Sequence, residues 1–421
     1  MDKFVIQGGK KLYGKVKVSG AKNSSLALIP ATLLNNGKNV FYNTPEVNDI
    51  FTMIKLLMSL GAEINFKEHV LEVDTTGINN QVAPYEHVKK MRASVYVLGP
   101  LLARYGFAKV SLPGGCAWGP RPINLHIDAM KKLGADIELE NGYIIAKCKK
   151  LIGTRLHFDV SSVGATGNAM MAATLAKGTT IISNAATEPE ITLLAEYLVK
   201  MGAKINGIGT NIIEIEGVDE LKAAETTNIG DRIEAGTLLI AAAITKGKID
   251  LEYAEPLNID SVTDKLIQCG CKIIIKNNLV SIDAENIDLQ NVDVITNIYP
   301  GFPTDMQAQW TALMTIAKGT STITDTIYSD RFKHVDELSR LGANIEVHKN
   351  SAIVRGVNNL IGAKVMSTDL RASASLVLAG LAAQGVTEVL RIYHLDRGYQ
   401  RIEDKLIPLG AEIQRVETME Y

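Results

Sequence analysis

Cys116 stands in the run Leu112-Pro113-Gly114-Gly115-Cys116-Ala117-Trp118-Gly119-Pro120-Arg121-Pro122, where six of eleven residues are Gly or Pro. Such a run forms a shaped loop rather than a helix or strand. Glycines let backbone approach a ligand closely, and Arg121 follows the thiol by five residues, which fits a reactive cysteine beside a cation. A surface turn carrying an incidental cysteine fits the run as well. Elsewhere the chain offers Lys22, Arg92, Arg331, Arg371 and Arg397 as cations, and Asp305 as a carboxylate in Pro303-Thr304-Asp305-Met306. A thiol, a carboxylate and several anion-binding groups suit proton transfer on a phosphorylated or carboxylated substrate.

Several of these residues fall at matching places because the chain repeats. A phrase of the type Leu-Gly-Ala-x-Ile recurs around Gly61, Gly134, Gly202, Gly270, Gly342 and Gly410, at spacings of 73, 68, 68, 72 and 68 residues. Each phrase follows an amphipathic stretch and precedes a short apolar run, which predicts a helix, a glycine cap and a strand. A second glycine lies upstream in every repeat, at Gly37, Gly106, Gly178, Gly247, Gly319 and Gly385. It ends a helix of small residues and opens an alternating strand. Each repeat is then a small α/β layer that needs neighbours to cover its faces, and 421 residues suit two domains of three such layers.

Fourteen residues before the upstream glycines stand Asn23, Arg92, Gly164, Ile233, Asp305 and Arg371, where the small-residue helix should begin. Helix starts carry free N–H groups and bind anions. Ordinary capping accounts for Asp369, Ser161 or Ser162. It does not account for Lys22, Arg92 and Arg371, because a cation at a helix start opposes the dipole, a cost that a bound polyanion would offset. The interval between the two glycines is longest in the second repeat, 28 residues against 23 to 25 elsewhere, and the surplus lies in the Cys116 loop. An insertion on one repeat maps to a loop, often on a binding face. Arg121 and Arg397 each lie thirteen residues before the second glycine of their repeats, with Arg331 close to the matching place, so they could converge on one ligand or be solvated.

The rest of the composition mainly excludes. A net charge of −2 leaves no global field for nucleic acid or an acidic membrane. No apolar stretch approaches the length that spans a bilayer. The start Met1-Asp2-Lys3-Phe4-Val5 lacks the order of a signal peptide. Four cysteines without framework spacing suit a reducing cytoplasm. Cys269 and Cys271 form a C-x-C pair but occupy the Leu and Ala slots of the repeated phrase, so packing is the better reading; Cys148, in an apparent strand, is read as structural. There is no Walker loop, HExxH zinc motif or nucleophile elbow, and Gly8-Gly9 and Gly207-Ile208-Gly209 are too weak for a dinucleotide site.

Several runs resemble the enolpyruvyl transferases, and within them the members that act on UDP-N-acetylglucosamine. They are Ser19-Gly20-Ala21-Lys22-Asn23, Met91-Arg92-Ala93-Ser94, Leu112 to Cys116, Arg121-Pro122 and Ser162-Val163-Gly164-Ala165-Thr166. Glu188-Pro189-Glu190, Asp231-Arg232-Ile233-Glu234, Phe302 to Gln307, Thr368 to Ser373 and Asp396-Arg397-Gly398-Tyr399 complete the set, in order along the whole chain. The resemblance implies a two-domain inside-out α/β barrel of six βαβαββ-like repeats, three per domain. One domain would span about 22–229 and the other 1–21 with 230–421, with the active site in the cleft between them. It implies transfer of the enolpyruvyl group of phosphoenolpyruvate to the 3′-hydroxyl of UDP-N-acetylglucosamine in cytoplasmic peptidoglycan synthesis, with no cofactor and no metal.

Carried over residue by residue, the resemblance makes Cys116 the acid that protonates the phosphoenolpyruvate methylene, a group also able to form a covalent adduct. Nearby cations favour its thiolate, so a part in proton donation and one in product release both stand. Asp305 would accept the sugar hydroxyl proton. Lys22, Arg121 and Arg397 would hold phosphate and carboxylate. Asn23, Arg92, Arg121, Pro122, Ile123, Asn124, Leu125, Ser162, Val163, Gly164 and Ile327 would contact the UDP-sugar or its surroundings, and Arg331, Asp369 and Arg371 would help close the cleft. Two positions depart from the pattern: Asn48 stands where some relatives carry Lys, and Asn124 where many carry Asp. A shikimate-type transferase would share the architecture without using this cysteine, and a non-catalytic UDP-sugar sensor would share the scaffold.

Overall fold

A computed structural model describes residues 2–89, 91–112, 123–253 and 258–419. Cys116, Arg121 and Pro122 lie outside the described residues. The chain divides into two compact units, Gly20–Ile229 and Met1–Ser19 with Gly230–Tyr421. Each unit has its own apolar core.

The glycines of the repeat act as expected. Gly61, Gly134, Gly202, Gly270, Gly342 and Gly410 all follow a helix with positive φ, at 108°, 95°, 107°, 100°, 89° and 99°. A side chain with a Cβ is strained in that left-handed region, which is why glycine recurs there. The strands Lys38–Tyr42, Phe107–Ser111, Thr179–Ser183, Lys248–Glu252, Thr320–Thr324 and Val386–Leu390 each begin directly after an upstream glycine.

The third repeat shows the layer most simply. Its order is strand Arg155–His157, helix Val163–Ala173, strand Thr179–Ser183, helix Pro189–Lys200, then strands Lys204–Asn206 and Ile212–Glu216. The first two strands run parallel, with Leu156 opposite Ile182. Ile212–Glu216 then pairs antiparallel to Thr179–Ser183 on one side and to Lys204–Asn206 on the other. The described residues form six such four-stranded sheets, three in each unit.

Both units borrow strands from distant sequence. Glu225–Thr227, at the end of its unit, lies parallel to Lys38–Tyr42 at its beginning. In the other unit Tyr13–Lys17 lies parallel to Lys248–Glu252. Asp2–Gln7 inserts between Val386–Leu390 and Glu412–Glu417. Each insertion covers backbone N–H and C=O groups that an open sheet edge would expose.

The first helix of each repeat is buried almost all round. Arg232–Ile244, with the sequence RIEAGTLLIAAAI, is buried at every residue from Ile233 onward. It packs with Gln307–Met314 and Leu370–Ala382 in the middle of its unit. Small residues permit that approach: a Cβ on Gly99 would lie 2.4 Å from Asn168 Oδ1, where Leu98–Tyr105 meets Val163–Ala173. The second helices are amphipathic. Asn48–Leu60 buries Ile50, Met53, Ile54, Leu57 and Leu60 on one stripe. Cys269 and Cys271 are buried in the core, and burial pushes both thiols up to about 12. No helix among the described residues is long and apolar enough to cross a membrane.

Candidate active site

The six positions fourteen residues before the upstream glycines fall at the first or second residue of a helical segment every time. They are Asn23 in Lys22–Ala31, Arg92 in the 3-10 turn Arg92–Val97, Gly164 in Val163–Ala173, Ile233 in Arg232–Ile244, Asp305 in the 3-10 turn Thr304–Met306 and Arg371 in Leu370–Ala382. Three of these starts are capped by side chains. Ser162 Oγ accepts from Ala165 N at 3.3 Å, Asp231 Oδ1 from Ile233 N at 2.9 Å, and Asp369 Oδ1 from Arg371 N at 2.9 Å. Each cap satisfies N–H groups that the helix leaves open.

In the unit holding Asp305, three of the sequence candidates meet. Arg331 Nη2 donates to Asp305 Oδ1 at 2.8 Å, and Arg371 Nη2 donates to Oδ2 at 2.6 Å. Both arginines are buried. Burial pushes the Asp305 carboxyl up, but Arg371 and then Arg331 outweigh it and hold the group well below the usual carboxylate range. Asp305 is therefore an anion at any physiological pH. Arg331 also donates from Nη1 to Thr304 Oγ1 at 2.9 Å, and Thr304 Oγ1 donates to Asp325 Oδ2 at 2.7 Å. Asp325 Oδ1 accepts from the backbone N–H of Ile327 at 2.9 Å, which shapes the turn presenting the Ile327 side chain. The Arg371 guanidinium lies over the ring of Tyr399 at 5.6 Å, and the Tyr399 hydroxyl bonds Thr237 at 2.8 Å and accepts from Gln309 at 3.1 Å.

The other unit places Lys22 differently from a bare helix-end cation. Its ammonium lies 2.9 Å from Asp49 Oδ2, with both side chains largely buried. Asp49 supplies a compensating charge that the sequence argument assigned only to a bound anion; Asp305 does the same for Arg371. The helix that carries Lys22 and Asn23 is anchored by Asn228. The Asn228 amide donates to Ala21 O and Ser25 Oγ, both at 2.8 Å, and accepts from Ser24.

Arg92 and the Ser162–Gly164 segment are linked through His126. A Cβ on Gly164 would lie 3.1 Å from His126 Nε2, so the imidazole lies against the start of that helix. Gly99 N donates to Asn168 Oδ1 at 2.7 Å, which leaves the amide nitrogen to face His126 Nδ1 at 3.0 Å. With Nδ1 accepting, the proton of the neutral ring sits on Nε2. Burial first, and the charge of Arg92 second, push His126 down to about 4. Ile123 caps the helix Asn124–Lys132 through its carbonyl, which accepts from His126 N at 3.0 Å. Asn124 is exposed, and Leu125, Ile123 and Val163 are half-buried. Asn48 is exposed at the start of the Asp49 helix. Arg397 ends the 3-10 turn Ile392–Arg397 and is half-buried.

Sequence reasoning missed Asp49, His126, Asn168, Asp325 and Asn228. One signal was available: Asp49 and Glu190 each lie twelve residues before their repeat glycines, Gly61 and Gly202, in the first turn of the second helix. The others are defined by partners far away in the chain.

Comparison with known proteins shows the family of the whole chain. Residues 6–406 match the family described as EPSP synthase (3-phosphoshikimate 1-carboxyvinyltransferase). A UDP-N-acetylglucosamine 1-carboxyvinyltransferase of Chloroherpeton thalassium is 58% identical over 99% of this chain and 97% of its own. The protein of the same name from Chlorobium limicola is 58% identical over the full length of both. Among solved structures, the enolpyruvyl transferase NikO from Streptomyces tendae superposes with a TM-score of 0.90 at 23% identity, covering 99% of each chain. EPSP synthase from Acinetobacter baumannii superposes with 0.77 at 19% identity, covering 99% of this chain and 100% of its own. These two likenesses concern the two-domain α/β fold. With full-length matches of this strength, the chain belongs to the enolpyruvyl transferase family, in the group of the UDP-N-acetylglucosamine 1-carboxyvinyltransferases.

Proposed function

We propose that the protein transfers the enolpyruvyl group of phosphoenolpyruvate to the 3′-hydroxyl of UDP-N-acetylglucosamine and releases phosphate, the first committed step of peptidoglycan synthesis. The observation that carries this reading is the 58% identity, over the whole chain, to proteins of that name. Cys148, Cys269 and Cys271 are unpaired by disulfides, which is consistent with a cytoplasmic reaction.

The chemistry is addition followed by elimination. The sugar oxygen bonds to C2 of phosphoenolpyruvate while C3 accepts a proton. The tetrahedral intermediate then loses phosphate from C2 and a proton from C3, restoring the double bond. Cys116 is the acid at C3, and Asp305 takes the hydroxyl proton. Arg331 and Arg371 make Asp305 a weak base. A weak base suffices, because the attacking oxygen gains positive charge as the C–O bond forms and its proton becomes far more acidic than that of an alcohol. Lys22, Arg121 and Arg397 balance phosphate and carboxylate charge. Asn23, Arg92, Pro122, Ile123, Asn124, Leu125, Ser162, Val163, Gly164 and Ile327 serve the UDP-sugar, while Asp369, Arg331 and Arg371 support the Asp305 side. The proposed roles draw on residues of both units.

A shikimate-type activity would suit the name of the matched family. The identity argues against it, at 58% to the UDP-N-acetylglucosamine enzymes and 19% to an EPSP synthase. Phosphate release from phosphoenolpyruvate should require UDP-N-acetylglucosamine and should not occur with shikimate 3-phosphate. Folded protein that releases no phosphate with the UDP-sugar sinks the proposal. Cys116→Ala should abolish labelling by an epoxide analogue of phosphoenolpyruvate, and unchanged labelling would move the reactive thiol elsewhere.

A further inference from the structure

Arg397 ends a short stretch whose backbone is strained at both sides. The chain enters it through Arg391 at φ 58° and leaves through Arg401 at φ 39°. Neither residue is glycine, and left-handed backbone at such residues persists only where surrounding contacts over-determine it. Two neighbours of Arg397 supply those contacts. Tyr399 is buried, and its hydroxyl bonds Thr237 and Gln309. Asp396 is gripped by Arg415 from the strand Glu412–Glu417, with Nη2 to Oδ1 at 2.7 Å and Nη1 to Oδ2 at 2.9 Å.

The Arg415 guanidinium is fully engaged. Its Nε donates to Glu403 Oε1 at 2.7 Å and its Nη2 to Oε2 at 3.3 Å, in the helix Ile402–Leu406 that follows the strained stretch. Its Nη1 reaches Asp2 Oδ2 at 3.3 Å, and the group lies over the Phe4 ring at 5.1 Å. Hydrogen bonding to Asp396 is the largest influence raising the already high pKa of Arg415. A bidentate grip fixes direction as well as distance. In a 3-10 turn successive side chains leave the backbone about 120° apart, so fixing Asp396 fixes the direction in which the Arg397 side chain leaves the backbone.

We infer that Arg415 is a positioning residue for Arg397: through its fork on Asp396 and its bonds to Glu403 it aims the arginine that binds phosphoenolpyruvate. The inference rests on the proposed role of Arg397. The test measures phosphate release while each substrate is varied in turn, with melting temperature recorded for every variant. Arg415→Met and Asp396→Asn should each raise KM for phosphoenolpyruvate roughly tenfold or more, as expected when a binding group is misplaced. KM for UDP-N-acetylglucosamine should stay within about twofold, and Arg415→Lys should recover part of the loss. Lys3→Met removes the 2.8 Å Lys3–Glu388 pair in the same sheet and should leave both KM values unchanged. An unchanged phosphoenolpyruvate KM in Arg415→Met and Asp396→Asn overturns the inference, as does a parallel rise for both substrates. Arg397→Met separates the two ideas. If it is impaired while Arg415→Met and Asp396→Asn are normal, only the positioning role fails. If it binds phosphoenolpyruvate normally, the reading of Arg397 fails and the positioning role with it.

Discussion

Arg371 Nη2 donates a 2.6 Å hydrogen bond to Asp305 Oδ2, and the two residues stand at the same place in successive repeats, each fourteen residues before its upstream glycine. The repeat therefore turns one structural position into a carboxylate in one copy and its cationic partner in the next. Arg331 completes the arrangement from the other carboxylate oxygen.

Because both arginines depress the Asp305 pKa, the rate should show no acid limb from this group above about pH 4. Arg371→Met leaves one arginine, so the carboxyl should rise toward its ordinary value and the loss of rate on acidification should begin at higher pH. Asp305→Asn should lower kcat by roughly 10²- to 10⁴-fold with little change in UDP-sugar binding. Measured pH–rate profiles check both, and an Asp305→Asn enzyme of normal kcat removes Asp305 from the mechanism.

Asp49→Asn should remove the negative charge that lies 2.9 Å from the largely buried Lys22 ammonium. Breaking one side of such a pair costs roughly 3 kcal/mol. Urea unfolding should show the loss, and the double variant Lys22→Met with Asp49→Asn should be more stable than the sum of the single effects predicts. Additive effects would mean that the two groups do not couple.

Two buried histidines contribute to the loss of stability in mild acid. Burial first, and a neighbouring arginine second, hold His126 near 4 and His334 near 3. In the unfolded chain each titrates near 6.5, so above that pH both states carry neutral rings and the stability is complete. Below it the unfolded chain binds protons that the folded chain cannot, and stability falls as pH drops from about 6.5 through 4 toward 3. The slope is at most roughly 1.4 kcal/mol per histidine per pH unit. Urea unfolding at pH 7.5 and 5.5 measures it, and His126→Asn with His334→Asn should flatten it.

Gly99→Ala would put a methyl group 2.4 Å from Asn168 Oδ1 and 2.5 Å from Asn168 O. The two helices must part, at a cost of about 1–3 kcal/mol. Asn168 also holds His126, so KM for the UDP-sugar should rise with the loss of stability. A lowered melting temperature with an unchanged KM would separate the helix contact from the proposed binding region.

Much of the framework was legible because it depends on short-range chemistry. The six cap glycines could be read because only glycine tolerates φ near 100°. The helix starts could be counted back from the upstream glycines because the buried helices have similar lengths in every repeat. The same counting brought Asn23, Arg92, Asp305 and Arg371 to equivalent places. The partners of these residues were not legible. Asn168 and His126 are 42 residues apart, and Lys22 and Asp49 meet only because two helices of one repeat pack together.

By itself the sequence determined the repeat, its helix caps and strands, the residues at the helix starts and, through their motifs, the family. Those features are local, or they recur with a period that can be counted. Only the tertiary structure decided that Asp49 neutralises Lys22, that two arginines share Asp305, and that Asp2–Gln7 completes a sheet with Val386–Leu390 and Glu412–Glu417. A charge finds its partner by distance in space, and hydrogen-bonding edges pair where packing brings them together. Neither leaves a period along the chain.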